Sequence, residues 1–180
     1  AVYPPSDEKP FETLRTLWET PDGWPLTDGM SVWRHARKLA LGFYYRWTPR
    51  PPDAWMEARK AWAKACRAIL SSNRRNIDSE RQAKDAVLSG AYPPVVDTLR
   101  RWIDLEPTFT PNSVPVWLND HALNYCATWA KAAGDRAIIW TEHVAFAERL
   151  SEKTGLPYFG QDGLDAAGRH GERLVLYLPD

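Results

Sequence analysis

The chain has 180 residues, of which 44% are hydrophobic and 26% are charged, and Lys plus Arg equals Asp plus Glu at 23 each. This balance excludes wholesale disorder and collagen-like structure and indicates a soluble globular protein. No apolar run reaches the roughly 18 residues that a membrane-spanning helix needs. Residues 1–10 lack the features of a signal peptide and two cysteines make no disulfide framework, so we expect a reduced, cytoplasmic compartment.

The neutral total conceals an uneven distribution of charge. Residues 34–101 carry 15 Lys and Arg against 6 Asp and Glu, whereas the rest of the chain carries 8 against 17. A basic block with interleaved Trp and Tyr is typical of a protein that binds a polyanion such as nucleic acid. A helical bundle whose basic faces are only solvated is the alternative interpretation.

Most of the chain before residue 134 is predicted to be helical. A short helix near 11–20 lies in an otherwise irregular lead-in that is rich in Pro and Gly. Apolar positions at helical spacing, together with capping residues, predict five further helices. They lie at 32–45 after Ser31, 54–71 after Asp53, 79–88 with a capping box at Ser79 and Gln82, 94–105, and 116–133 before Gly134. The Pro-rich segment 106–115 is expected to be a linker.

The pattern of apolar residues changes after Gly134. Short continuous apolar runs, which are typical of buried parallel strands, alternate with helix-length or turn-rich spacers. The runs lie at 137–141, 156–159 and 174–178, with predicted helices at 142–154 and near 164–167. The expected fold class is therefore α/β, with a helix-rich N-terminal part followed by a β-α-β unit that has a small parallel sheet.

The expected organisation has three parts. Residues 1–30 form the lead-in, 31–110 form a basic helical region, and 111–180 form a linking helix and the β-α-β unit. The basic block lies within the second part, so we expect this helical region to carry most of any affinity for DNA.

Residues that bind metals or act as nucleophiles are too dispersed to predict a site. The four histidines are far apart, and His121 and Cys126 do not share one helix face. Cys66 and Cys126 fall on apolar faces of predicted helices, where a small buried core residue is the usual explanation. We expect neither a metal site nor a cysteine nucleophile.

Two glycine spacings resemble a phosphate-binding loop but are incomplete. Gly155–Gly160 precedes Gln161, and Gly163–Gly168 precedes Arg169. A P-loop has a Lys at this position for the β- and γ-phosphates, followed by a hydroxyl side chain for Mg²⁺. We therefore expect no complete nucleotide site in this chain.

The 10 tryptophans have two interpretations. Burial in the helical core is favoured for those at apolar helix positions. These are Trp33, Trp55, Trp62, Trp102, Trp117 and Trp129. Stacking on nucleotide bases is the alternative, and it suits Tyr44, Tyr45 and Trp47, which lie beside Arg46 and Arg50.

One stretch of sequence is more informative than the isolated motifs. Residues 137–150, AIIWTEHVAFAERL, and 154–160, TGLPYFG, resemble the start of the second RecA-like lobe of superfamily 2 helicases. The similarity is greatest to phage-encoded DEAD/DEAH-like or chromatin-remodeller-like helicases. The segments 33–47, 57–62 and 109–117 are similar to the helical region that precedes this lobe in the phage proteins.

This resemblance implies part of an ATP-dependent phage helicase or DNA translocase that contributes nucleic-acid contacts and second-lobe framework. It implies ATP and Mg²⁺ only through parts absent from this chain, because the P-loop Lys, the acidic Mg²⁺ motif and the later paired arginines are missing. The implied partners are nucleic acid, with DNA favoured over RNA, and the missing helicase lobe. The implied compartment is the cytoplasm of the host cell, and no membrane is implied.

The expected nucleic-acid-binding residues come from both parts of the chain. Five arginines belong to the basic region, two of them in the polar segment 73–76, for which a solvated loop is the alternative. They are Arg46, Arg50, Arg74, Arg75 and Arg81. The resemblance adds Thr141, Glu142 and His143, which match the motif IV position that faces the nucleic-acid cleft in the family.

A non-enzymatic accessory role is the alternative function. Such an α/β protein would bind a protein partner through its Trp-rich surface. Binding to single- and double-stranded DNA at two salt concentrations separates the two hypotheses, because contacts to phosphates weaken steeply with salt.

We predict that this chain alone does not hydrolyse ATP. No Lys follows either glycine spacing, and no paired arginines follow the third predicted strand. The measurement is phosphate release by the purified chain in the presence of Mg²⁺, ATP and DNA. DNA-stimulated turnover that one substitution in the chain abolishes would contradict the prediction.

Overall fold

The computed structural model describes residues 8–72, 76–134, 138–159 and 174–177. Within these residues the chain forms seven α-helices, which are α1 Glu8–Leu17, α2 Gly29–Ala40, α3 Asp53–Ser71, α4 Glu80–Leu88, α5 Val96–Leu105, α6 His121–Ala133 and α7 Val144–Thr154. The strands are β1 Phe43–Thr48, β2 Asn112–Trp117, β3 Ile138–Thr141, β4 Tyr158–Phe159 and β5 Leu174–Tyr177. Short 3-10 helices occur at Pro93–Val95 and Glu106–Thr108. The predicted helix-rich α/β fold class is confirmed.

The chain divides into two compact units. The first comprises Ala1–Leu39 and Tyr44–Val116, and the second comprises Ala40–Phe43 and Trp117–Asp180. The expected division into residues 1–30, 31–110 and 111–180 stays a prediction. The basic block of the sequence therefore belongs almost entirely to the first unit.

The main core of the first unit forms where α3 packs against α4 and α5. Apolar residues of α3 recur at intervals of three and four and lie on one face of the helix. Trp55, Trp62 and Ile69 of α3 are buried against Val87 of α4 and Trp102 of α5. Trp62 and Trp102, two of the largest side chains in the protein, thus lie at the centre of this core, where they remove much apolar area from water.

Glu80 connects three segments of the first unit. Its carboxylate accepts a hydrogen bond from the Thr27 hydroxyl at 2.7 Å and another from the Trp62 indole N–H at 2.9 Å. Lys84, one turn later in α4, pairs with it at 3.3 Å. Because Glu80 is also the first residue of α4, the helix dipole stabilises its negative charge.

The second unit contains a three-stranded sheet in the order β3-β5-β4. Both pairings are parallel, with Ile138 opposite Leu174 and Tyr158 opposite Val175. Helix α7 connects β3 to β4 and buries Phe146, among other apolar residues of one face. The three strands lie within the apolar runs of the sequence, whereas the helix expected near 164–167 falls outside the described residues.

Two predicted helices have the wrong bounds. Helix α2 ends at Ala40, and the following residues form β1 rather than the last turn of a helix at 32–45. Gly42 adopts φ +88 and ends the helical path, after which a run rich in aromatic residues favours extended backbone. The helix expected at 116–133 begins only at His121, because the preceding residues pair with β1 as β2.

Two capping predictions and two core predictions also need correction. Asp28 rather than Ser31 caps α2, because the Asp28 carboxylate accepts a hydrogen bond from the Ser31 N–H at 2.8 Å. Helix α3 begins at Asp53, the residue expected to cap it, and Pro52 is in the cap position.

Trp33 and Trp129 are 55% and 46% exposed, so they lie at the surface instead of in the core.

We predict that Gly42→Ala destabilises the protein more than Gly90→Ala does. Both glycines have positive φ, which costs an alanine about 1–2 kcal/mol. A Cβ at Gly42 would lie 2.5 Å from the Asn119 carbonyl oxygen, whereas one at Gly90 would meet open space. Urea denaturation should show a loss near 1–2 kcal/mol for Gly90→Ala and a larger loss for Gly42→Ala. Equal losses would contradict this assignment.

Candidate nucleic-acid interface

Two of the predicted arginines lie at one cleft in the first unit. Arg46 and Arg50 line a cavity of about 600 Å³ together with Trp24, Trp47 and Lys60. Cationic side chains contact phosphates, and aromatic rings stack on bases. The cleft therefore combines the two kinds of side chain that proteins use to hold a polynucleotide.

Local structure explains how these residues come together. Arg46 and Trp47 belong to β1, whose aromatic residues favour extended backbone. Arg50 lies in the Pro-rich segment 49–52, which ends the strand because proline lacks the N–H of a sheet pairing. Lys60 lies on the exposed face of α3, opposite the face that forms the core.

Trp47 is held in place by other rings. Its indole packs edge-on against Trp55 with ring centroids 5.7 Å apart, and it contacts Trp24 at 4.9 Å. Trp55 continues the contact to Trp102 at 4.9 Å in the centre of the core. Trp47 is only partly buried, so the core fixes a ring that still lines the cleft.

The Arg59 guanidinium lies among three of these rings. It lies 5.3 Å from the centroid of Trp47, 5.8 Å from that of Trp55 and 5.5 Å from that of Trp102. Burial lowers the pKa of Arg59, while the negative charge of Glu80 opposes this effect. Arginine stays protonated in proteins, so Arg59 is a partly buried cation held by ring faces.

Three carboxylates, Asp22, Asp53 and Glu57, also line the cleft and equal its three cations in number. Asp22 accepts hydrogen bonds from the Thr20 hydroxyl and the Trp24 indole N–H. Glu57 pairs with Arg101 at 3.3 Å, and Asp53 pairs with Arg50 at 3.6 Å.

Two cations of the cleft remain available for a ligand. Among the described residues, Arg46 and Lys60 have no carboxylate within ion-pairing distance. The pair of Arg50 and Asp53 is 83% and 87% exposed, and such pairs contribute little in water. An incoming phosphate could therefore take up Arg50 at small cost as well.

The other predicted arginines lie away from this cleft or outside the described residues. Arg81 is exposed in the first turn of α4 and does not line the cleft. Arg74 and Arg75 fall outside the part of the chain that the structure describes, so their contribution stays a prediction.

Thr141, Glu142 and His143 form a tight turn between β3 and α7. The Thr141 hydroxyl accepts a hydrogen bond from the His143 N–H at 3.2 Å, and the Glu142 carboxylate lies 3.0 Å from the His143 ring. The His143 ring also packs edge-on against Phe43 at 5.7 Å. The side chains of Glu142 and His143 are only 18% and 11% exposed, so this segment presents little polar surface to a ligand.

Two cations of the second unit are paired with one carboxylate. Arg149 and Lys153 of α7 contact Asp120 at 2.9 and 3.4 Å. The Arg149 guanidinium also lies 4.3 Å from the Trp117 ring centroid. Both cations are therefore paired within the second unit.

Sequence reasoning missed Trp24 and Lys60 as members of the cleft. Trp24 lies in the lead-in, and no local pattern relates it to Trp47, which is 23 positions away in the sequence. Lys60 carried a detectable signal, because helical spacing places it on one face of α3 with Met56 and Glu57. That face belongs to the basic block, for which polyanion binding and a merely solvated surface are the two interpretations.

The two cysteines lack the environment of a nucleophile. Cys66 is buried in the core of the first unit, and this burial, aided by the charge of Glu80, raises its pKa to about 12. Burial also raises the pKa of Cys126, which is partly exposed.

The structure holds no cluster of three or more metal-ligating side chains within the described residues. No helix in that same part of the chain could span a membrane.

Comparison with protein-family models, with curated proteins and with solved structures found no match to this chain.

We predict that the two cysteines differ sharply in reactivity. With a pKa of about 12, only about one Cys66 thiol in ten thousand is ionised at pH 8, and it is shielded from reagent. In the native protein, Ellman's reagent should therefore modify Cys126 first. Cys66 should react only after unfolding, and the Cys126→Ser variant should show no rapid phase. Two equally fast thiols in the native protein would disprove this assignment.

Proposed function

We propose that this chain is the part of an ATP-dependent helicase or DNA translocase that contributes nucleic-acid contacts and second-lobe framework. The observation that carries the proposal is the cleft of the first unit, where Arg46 and Lys60 have no carboxylate partner among the described residues. The cleft lies in the basic block, whose excess of cations attracts a polyanion over a longer range. DNA is the favoured ligand, ahead of RNA.

The second unit supports the motor part of this proposal. Strand β3, helix α7 and the parallel strands β4 and β5 form the type of unit that a RecA-like lobe repeats. In this proposal Thr141, Glu142 and His143 occupy the motif IV position. ATP and Mg²⁺ would act through the other lobe, in the cytoplasm of the host cell if the protein is phage-encoded.

A protein-binding accessory role remains the second candidate. An apolar groove of about 790 Å³ lies between α1 and α2, lined by Phe11, Trp18 and Trp33. Exposed apolar surface of this kind is typical of protein interaction sites. Measurable DNA binding would favour the first candidate, whereas its absence at low salt would favour the second.

We predict that replacing both Arg46 and Lys60 with Ala weakens DNA binding without regard to sequence. Each cation that neutralises a phosphate releases counterions, so the slope of log K against log salt should fall by about 1 to 2. The measurement is fluorescence anisotropy of labelled DNA at several salt concentrations. Both positions are exposed, so thermal melting should show an intact fold.

The matched control replaces Arg149 and Lys153 with Ala. These two cations are also surface residues, but both are paired with Asp120. Their loss should leave the salt slope nearly unchanged. If this control pair lowered affinity more than the cleft pair did, the DNA path would lie in the second unit and the proposal would fail.

A further inference from the structure

The apolar groove between α1 and α2 leaves hydrophobic surface of the first unit uncovered. It has a volume of about 790 Å³, and its described lining residues do not overlap with those of the cationic cleft. The Trp33 ring, which is 55% exposed, forms part of the α2 side. Leu17 and Met30, each next in sequence to a lining residue, are 54% and 58% exposed. Contiguous apolar surface of this kind marks protein interaction sites.

The core beneath the groove is small. Nine buried residues form the core that α3 shares with α4 and α5, whereas four form the cluster that α1 and α2 share. These four are Leu14, Leu26, Leu39 and Tyr44. A helix has to bury its apolar stripe against another element, so α1 and α2 can accept a further helical layer.

The α1 wall of the groove carries a net negative charge. Glu8 and Glu12 lie one turn apart and line the groove, and Arg15 is the cation among its described lining residues. Neither glutamate forms an ion pair with a described residue. A helix that approaches α1 with basic side chains is therefore attracted to this wall.

The α2 wall is positively charged. Arg34 is exposed and has no ion pair with a described residue, and α2 contains no Asp or Glu. Arg37 follows one turn after Trp33, and its guanidinium lies 4.4 Å from the centroid of that ring. The same surface therefore presents an acidic helix beside a basic one, which makes its charges complementary to those of another copy.

We propose that this surface is a dimer interface, in which α1 of one copy packs against α2 of a second copy of the chain. A two-fold axis makes this contact twice, because each copy contributes the same surface. Glu12 then faces the partner's Arg34, and the exposed Met30 of each copy enters the groove of the other. The helices have 10 and 12 residues, so their lengths of about 15 and 18 Å match. This inference goes beyond the proposed function, because no contact in it involves nucleic acid.

Sedimentation equilibrium of the full chain, without nucleic acid, tests the interface. The apparent mass should rise from 20.6 kDa toward twice that value between about 1 and 100 μM, a range that covers moderate and weak dimers. Trp33→Glu should keep the chain at the monomer mass, because dimerisation would bury an unpaired charge. The control is Trp129→Glu, which replaces a similarly exposed tryptophan of the second unit and should leave association unchanged.

Two results of this experiment would overturn the inference. One is a chain that stays at the monomer mass up to about 100 μM, at the weak end of specific association. The other is a folded Trp33→Glu variant that associates as well as the unaltered chain.

Charge reversal tests which helices meet. Glu12→Arg and Arg34→Glu should each weaken the dimer at least about tenfold, because each places like charges opposite one another. An equimolar mixture of these two variants should associate nearly as well as the unaltered chain, since every α1–α2 contact of the mixed dimer again joins opposite charges. Both positions are exposed, so circular dichroism should show intact folds.

A mixture that associates no better than the separate variants would overturn the pairing of α1 with α2. Binding of labelled DNA by the same variants separates this inference from the proposed function. A chain that binds DNA but stays monomeric refutes the dimer alone, whereas a dimer that binds no DNA at low salt refutes the proposed function alone.

Discussion

The packing of Arg59 among Trp47, Trp55 and Trp102 is the interaction on which the first unit and its cleft depend. The Nε of Arg59 is buried, yet it has no hydrogen-bond partner among the described residues. Such an unpaired donor costs about 1–3 kcal/mol. A desolvated cation over an aromatic face contributes about 2 kcal/mol or more, and three faces surround this one. The ring contacts oppose this loss.

This arrangement has a consequence for the position of the cleft. Arg59 is in α3, Trp102 is in α5 and Trp47 is in β1, so one cation joins three elements. Its neighbour Lys60 lies about 100° further round α3 and is exposed. The buried face of α3, which includes Trp55 and Trp62, sets the rotation that leaves Lys60 exposed, and Arg59 contacts the ring of Trp47. The same packing that stabilises the core positions both the charge and the aromatic surface of the candidate site.

The sequence predicted those elements whose pattern is local. The apolar stripe of α3 and the capping box of α4 are signals carried by a few neighbouring residues, and Ser79 caps α4 as expected. The strand β1 was missed because its aromatic residues also fit the apolar spacing of the preceding helix. Its pairing with β2, from a distant part of the chain, adds to the local preference of these residues for extended backbone.

The candidate site was predictable in part for the same reason. Arg46, Arg50 and Trp47 are adjacent in sequence, and their combination of charge and aromatic side chains was apparent without a structure. Trp24 and Lys60 reach the cleft through tertiary packing, which a single sequence does not encode in any short pattern. The division of charge along the chain indicates the unit that holds this cleft, but it does not distinguish paired cations, such as Arg149, from cations without an ion pair.

Photocrosslinking tests the central claim most directly, because it reports which residues lie against the nucleic acid. A single-stranded oligonucleotide that contains 5-iodouracil would be irradiated in complex with the protein, and the crosslinked peptide identified by mass spectrometry. The account predicts crosslinks to Trp47, or to Met56, which lines the same cleft. Crosslinks confined to residues 138–159 of the second unit would contradict it.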